Sequence, residues 1–278
     1  MLHSFDLVYH GADGADPWAG LVMDEIGNLY GVTREGGIYN GGIAFQLPPG
    51  SNGWTENILY SFCAKFEQFC NDGSQPYFAP ILDENGNLFG TTAYGGTANL
   101  GVAFEISPTS GGGWKERILH SFQGQGKGDG SLPYGGLVLD HAGNLYGTTT
   151  EGGPTGQGTV FKLTPAAHGR WKETILYTFP HVQNGGYPQG TLAIDKAGAL
   201  YGIAGGGKDC GGVACGLIYK LAPHPGGKWK YSVLYKFAGP DGEWPQGGVI
   251  LDKQQKHLYG ATEYGGTYGY GVVFEITP

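Results

Sequence analysis

An all-β fold built from repeats is predicted by three features of this 278-residue sequence. Pro17, Pro76, Pro133, Pro188 and Pro245 recur at intervals of 59, 57, 55 and 57 residues, so five units of one kind account for the chain. Each unit divides into four short runs rich in β-branched and aromatic residues and bounded by Gly, Asn, Asp or Pro. Despite 55 Gly and 16 Pro, aromatic residues make up 13% of the chain, which suits packed strands rather than a solvated tail.

The third unit displays the four runs in order. Strand A reads GLVLD, B reads NLYGTT, C reads GTVFKLTP and D reads WKETILYTF. The link from A to B, DHAGN, is a tight hairpin that Asp opens and Gly-Asn closes. Seven residues after each proline stands an Asp, at Asp24, Asp83, Asp140, Asp195 and Asp252, closely followed by Leu-aromatic-Gly in strand B. Strand C carries an aromatic at Phe45, Phe104, Phe161, Tyr219 and Phe274. Strand D alternates, with Trp171, Glu173, Ile175, Tyr177 and Phe179 on one side.

Four-stranded units repeated radially are propeller blades, so the predicted architecture is a five-bladed β-propeller in one domain spanning residues 1–278. Residues 2–5, LHSF, match the D-strand LYSF at 59–62, whereas the C-terminal GVVFEITP is a C strand. Residues 1–5 are therefore expected to supply the outer strand of the last blade and close the ring, which removes exposed edges. The motif GNLYGTTxxGGxxxxGxVFxL, with DGxxPxGGLVxD ahead of it, resembles the GloVer tandem-repeat proteins over essentially the whole chain. The resemblance implies a propeller-like array, often on bacterial surfaces, and assigns no chemistry.

Composition removes several partners. The net charge is −8 and no Lys or Arg block occurs, so nucleic acid is not expected. No apolar run reaches the ~18 residues of a membrane span, and residues 1–5 show no signal-peptide pattern. Cys63 with Cys70, and Cys210 with Cys215, are each expected to close a short loop as a disulfide, which suits a secreted or cell-surface protein. A four-cysteine zinc site is the alternative, disfavoured by the spacing. No nucleophile elbow, HExxH or phosphate loop occurs, and His10, His120, His141 and His181 occupy unlike positions, so neither metal nor cofactor is expected. The chain is expected to be a monomer.

The site is sought where the repeats differ. D-to-A and B-to-C loops emerge on one face and vary, while the A-to-B turns on the other are nearly alike. The shared Asp13, Asp72, Asp129 and Asp241, with Asn184 in the fourth unit, read as turn residues, with a cation-binding ring as the alternative. Before the proline stand Asp16, Gln75, Leu132, Tyr187 and Trp244, and after it Trp18, Tyr77, Tyr134, Gln189 and Gln246. The B-to-C loops open with Glu35, Tyr94, Glu151 and Tyr264, preceded by Arg34, Ala93, Thr150 and Glu263, and the fourth unit is ambiguous.

Acidic and aromatic residues at these positions concentrate in the first and fifth units, which closure would make neighbours. Trp18, Arg34, Trp244 and Tyr264 are candidate carbohydrate-binding residues, since sugars stack an apolar face on aromatic rings and take charge-assisted hydrogen bonds. Asp16, Glu35, Glu243 and Glu263 would supply the two carboxyl groups of a glycoside hydrolase, with the pair unresolved. Glycan binding is placed first, hydrolysis second, and a structural or adhesive module that binds protein third.

Overall fold

The structure, a computed structural model, describes residues 1–6, 11–51, 53–207 and 215–278. The chain divides into two compact units, residues 1–123 and 124–278. The first holds two four-stranded antiparallel sheets. Their strands, A to D, are Val22–Met23, Leu29–Thr33, Ile43–Leu47 and Asn57–Ser61, then Ile81–Leu82, Leu88–Thr92, Val102–Pro108 and Trp114–Ser121. The second unit repeats this sheet with Val138–Leu139, Leu145–Thr149, Thr159–Pro165 and Trp171–Thr178, inside the runs predicted for the third repeat.

Beside a short pairing of Gly130–Ser131 with Glu151–Gly152, seven further strands of the second unit form one sheet. Gly186–Ile194, Leu200–Gly205, Leu217–His224 and Lys228–Lys236 make the fourth repeat, and Glu243–Leu251, Leu258–Tyr264 and Val273–Ile276 the fifth. The two are joined by a parallel pairing of their A strands at Thr191 and Gly248. A Cβ on Gly248 would lie 2.1 Å from the Thr191 carbonyl oxygen, so this approach requires glycine.

Each predicted hairpin is tied by its Asp. Asp140 Oδ1 accepts the N–H groups of Ala142 and Asn144, both at 2.9 Å, while Oδ2 accepts the Asn144 amide at 2.8 Å and the Tyr146 hydroxyl at 2.9 Å. Asp24 makes the same four bonds to Ile26, Asn28 and Tyr30. Desolvation by burial pushes the Asp140 carboxyl up, but the bonds from Asn144, Tyr146 and Ala142 outweigh it and hold the carboxyl below the usual range.

The Leu-aromatic-Gly of strand B has a packing cause. A Cβ on Gly147 would meet the Phe161 ring at 2.6 Å, because the C-strand aromatic lies across the glycine beside it. The same overlap recurs at Gly31, Gly90, Gly202 and Gly260. Strand D departs from the predicted strict alternation. Phe161 pairs with Ile175 and Val160 with Tyr177, so Leu176 is skipped as a bulge, and Leu59, Leu119 and Leu234 are skipped at the matching places. The bulge lets an extra apolar side chain turn inward, and Leu59 and Leu119 are buried.

Three of the phenylalanines that end D runs are buried against the C-strand aromatic of the next repeat. Phe62 meets Phe104 at 5.0 Å, Phe179 meets Tyr219 at 5.4 Å and Phe237 meets Phe274 at 5.2 Å between ring centroids. Residues 1–6 form no strand, contrary to the sequence expectation, and Val273–Ile276 pairs only with Leu258–Tyr264 among the described residues. Side-chain anchoring replaces ladder pairing in the N-terminal segment: Phe5 sits 5.2 Å from Phe45, and the Asp6 N–H donates to Asp13 Oδ2 at 2.8 Å.

The shared Asp of the D-to-A loop is a turn anchor, as its Asp-Gly context suggests. Asp72, fully buried, accepts the Tyr60 hydroxyl at 2.7 Å and the N–H groups of Ala64 at 2.9 Å and Lys65 at 3.1 Å. Asp241 likewise accepts the Tyr235 hydroxyl and the Ala238 N–H. Cys63 and Cys70 form the expected disulfide across this loop. Cys215 is buried and disulfide-bonded, and its expected partner Cys210 lies outside the described residues, as does His10.

The hairpin carboxylates give a pH prediction. A carboxyl held below its unfolded value of about 3.9 stabilises the fold fully above that pH and loses the contribution as pH falls through the folded value. The melting temperature is expected to drop on acidification below about pH 4, and Asp140→Asn to flatten that dependence. Calorimetric scans of the two proteins at several pH values measure it, and parallel curves would contradict the assignment.

Candidate functional site

Two columns of the repeat present varied side chains on a fixed backbone. The first is the residue before the proline: Asp16, Gln75, Leu132, Tyr187 and Trp244 have φ of 60°, 58°, 54°, 50° and 56°. This left-handed conformation costs a residue bearing a Cβ about 1–2 kcal/mol. Hydrogen bonds on both sides offset it. The Asp16, Gln75 and Leu132 carbonyls accept the N–H groups of Arg34 at 3.1 Å, Ala93 at 3.0 Å and Thr150 at 2.9 Å, each in the B-to-C loop of the same repeat. The N–H groups of Gln75, Tyr187 and Trp244 donate, each at 2.8 Å, to the carbonyls of Gly41, Gln157 and Cys215 in the preceding repeat.

The second column opens the B-to-C loop. Thr33, Thr92, Thr149 and Thr262 donate their hydroxyls to the carbonyls of Glu35, Tyr94, Glu151 and Tyr264 at 2.8–2.9 Å. Across from this column, Ala15 pairs with Glu35, Ser131 with Glu151 and Glu243 with Tyr264. Gly186 pairs with Gly205, which identifies the fourth-repeat position that sequence left ambiguous.

The eight predicted site residues fall into two groups of four, one in each compact unit. In the first, Arg34 is the hub. Its Nε lies 3.1 Å from Asp16 Oδ2, its terminal nitrogen pairs with Glu35, and its guanidinium carbon sits 5.9 Å from the Trp18 ring centroid and 5.7 Å from that of Tyr77. Trp18 meets Tyr77 edge-on at 6.4 Å and is 69% exposed. An exposed indole beside a guanidinium held by two carboxylates offers a stacking face and a donor fork together.

In the second group Trp244, 44% exposed, meets Tyr264 edge-on at 6.2 Å. Glu263 accepts the Gln246 amide at 3.2 Å, and Gln246 in turn accepts from Gln189 at 3.4 Å. A hydrogen bond to Glu263, with Glu243 also nearby, holds the Tyr264 hydroxyl above its usual pKa. Tyr77, Gln189 and Gln246 are members of the site that sequence reasoning did not select, although all three stand one residue after the repeat proline. Glu151 is exposed in the third repeat, in the same column as Glu35.

Elsewhere in the second unit a groove of about 710 Å³ is lined by apolar side chains that include Val249, Ile250, Tyr259 and Val273. No charged residue lines it, and it meets the second group only at Gln246. Among the described residues of the first unit, His3, Asp13 and Glu56, a grouping the sequence reading did not select, bring one ligand atom each within 4.8 Å of one another. Sequence missed it because His3 belongs to an incomplete repeat.

Comparison with known proteins gives a family and a fold. The profile of the Gloeobacter/Verrucomicrobia repeat matches residues 1–214. A glucose dehydrogenase of known structure aligns over 95% of this chain and 84% of its own, at 13% identity and a TM-score of 0.56. The α-L-arabinanase of Penicillium chrysogenum aligns over 93% and 80%, at 12% identity and 0.52, and the endo-arabinase of Bacteroides thetaiotaomicron over 99% and 98%, at 14% and 0.50. At such identities the likeness establishes the fold, an all-β propeller type. No curated protein matches the sequence significantly.

The left-handed column yields a stability prediction. Leu132→Val places a β-branched residue at φ 54° and is expected to cost about 1–2 kcal/mol, whereas Leu132→Gly relieves the strain and costs less. Urea midpoints of the two variants decide it; equal midpoints would show that the conformation carries no strain.

Proposed function

Because the chain belongs to the Gloeobacter/Verrucomicrobia repeat family, whose description specifies a repeat and no chemistry, we propose its function from the site itself: binding of carbohydrate outside the cell. The carrying observation is Trp18, exposed beside an Arg34 that Asp16 and Glu35 hold in place. A pyranose or furanose ring stacks its C–H face on indole while its hydroxyls take hydrogen bonds from a guanidinium and give them to carboxylates. Binding comes ahead of hydrolysis because both carboxylates of this group are engaged by Arg34. The α-L-arabinanase, determined with arabinobiose, is a protein of this fold that holds a sugar. The disulfide suits an oxidising compartment.

Hydrolysis is the second reading, supported by two carboxylates, Glu263 and Glu243, that both act on the Tyr264 hydroxyl. A panel of plant and bacterial polysaccharides, scored for both retention of the protein and release of reducing ends, separates binding from cleavage. Indifference to every polysaccharide, with capture of a protein instead, favours the adhesive reading. For binding, Trp18→Ala and Trp244→Ala are each expected to weaken affinity by about 1 kcal/mol or more while leaving the melting temperature unchanged. For cleavage, Glu→Gln at Glu243 or Glu263 is expected to abolish turnover and spare binding. Full activity in all these variants, with loss in Glu151→Gln, would put the site in the third repeat.

We also propose that five repeats close as one propeller domain, with residues 1–5 covering the outer edge of the fifth blade without ladder pairing. Support comes from Phe5, which rests on Phe45 as Phe62 rests on Phe104, the contact expected of a preceding D segment. Hydrogen exchange tests closure without relying on stability. Removing residues 1–5 is expected to strip protection from amides 273–276 at the opposite end of the sequence. Loss confined to the strand Ile43–Leu47 would mean that the ring is not closed by this segment.

A further inference from the structure

The D runs of the first two repeats carry a largely buried acid whose charge is balanced differently in the two. Glu116, with its side chain fully buried, receives the Lys65 ammonium at 2.5 Å, next to the Tyr60–Asp72 hydrogen bond. In the fourth repeat Tyr231 takes the place of the acid, stacking on Tyr177 at 4.4 Å and donating its hydroxyl to the Asn184 carbonyl at 2.6 Å. Glu56 is the first-repeat counterpart. Tyr60 is replaced there by His3, and the position that matches Lys65, three residues after the phenylalanine of the D run, is Val8, outside the described residues.

Among the described residues, the first-repeat cluster thus sets two acids against an imidazole, with no Lys or Arg paired to them. His3 Nε2 lies 3.3 Å from Asp13 Oδ1 and 3.8 Å from Glu56 Oε1. Glu56 Oε1 is buried without a hydrogen-bond partner, and its side chain is 11% exposed. Asp13 is held in place by the Gly14 N–H at 2.7 Å and the Asp6 N–H at 2.8 Å, which leaves lone-pair capacity on Oδ1.

We infer that His3, Asp13 and Glu56 form a binding site for a divalent first-row transition cation such as Zn²⁺. Four ligands about 2.0–2.1 Å from a tetrahedral zinc lie about 3.3 Å apart, close to the two spacings from the imidazole. One nitrogen and two carboxylates suit zinc or its neighbours, while calcium takes six to eight oxygens. The 23% exposure of His3 and of Asp13 leaves a side open for water as the fourth ligand. The cation would do in the first repeat what Lys65 does in the second.

Calorimetric titration of chelator-treated, tag-free full-length protein with ZnCl₂ tests the site. One bound ion per chain is expected, with the affinity reduced at least tenfold in Glu56→Gln and in His3→Ala. Lys65→Ala is expected to bind as the parent does. Co²⁺ substitution gives a second readout, a visible absorption band from the parent that both site variants lose. Glu56→Gln preserves shape and volume, so its loss of binding cannot be ascribed to unfolding when its melting temperature without metal matches or exceeds that of the parent. Absence of binding by the parent, or binding that persists undiminished in His3→Ala, overturns the inference.

Discussion

Everything the candidate site presents depends on a left-handed residue ahead of a proline. That conformation is opposed twice, by the Cβ of the residue itself and by the ring that follows. It persists because backbone hydrogen bonds to the same repeat and to the repeat before it tie the residue down: the Gln75 carbonyl accepts the Ala93 N–H, and the Gln75 N–H donates to the Gly41 carbonyl. The backbone is therefore over-determined, and the side chain is left out of the bargain. Asp16, Gln75, Leu132, Tyr187 and Trp244 differ in every chemical respect and share one geometry.

This separation explains what could be read from sequence. The hairpin Asp was legible because its work is local: Asp140 bonds to residues two, four and six positions on, and the side chains involved recur with it. The Cys63–Cys70 bridge was legible for the same reason. The bulge at Leu176 was not, since a skipped residue is a property of the partner strand and the alternating pattern runs straight through it. Nor was the left-handed column, because Gln, Leu, Tyr and Trp carry no preference for positive φ.

The site was legible in part. Its residue types and loops followed from the repeat, and the grouping of Asp16, Trp18, Arg34 and Glu35 is present. The role of Tyr77 was hidden because it faces Arg34 from the next repeat, 43 residues along the chain. Gln246 was hidden by chemistry: a neutral amide attracts little notice until Glu263 is found at its tip. His3 was hidden by position, as its counterparts are mostly tyrosines and its own repeat is incomplete.

The parallel contact between Thr191 and Gly248 has a consequence for how such a chain diversifies. Inner strands that touch backbone to backbone leave no space in which one repeat could grow without displacing its neighbour. Novelty is thereby driven outward, to the two columns whose main chain is already tied. A residue exchanged there inherits an aimed position from its predecessor, so recombination between repeats can trade a Trp for a Gln, or a Glu for a Tyr, as interchangeable lettering on a common plate.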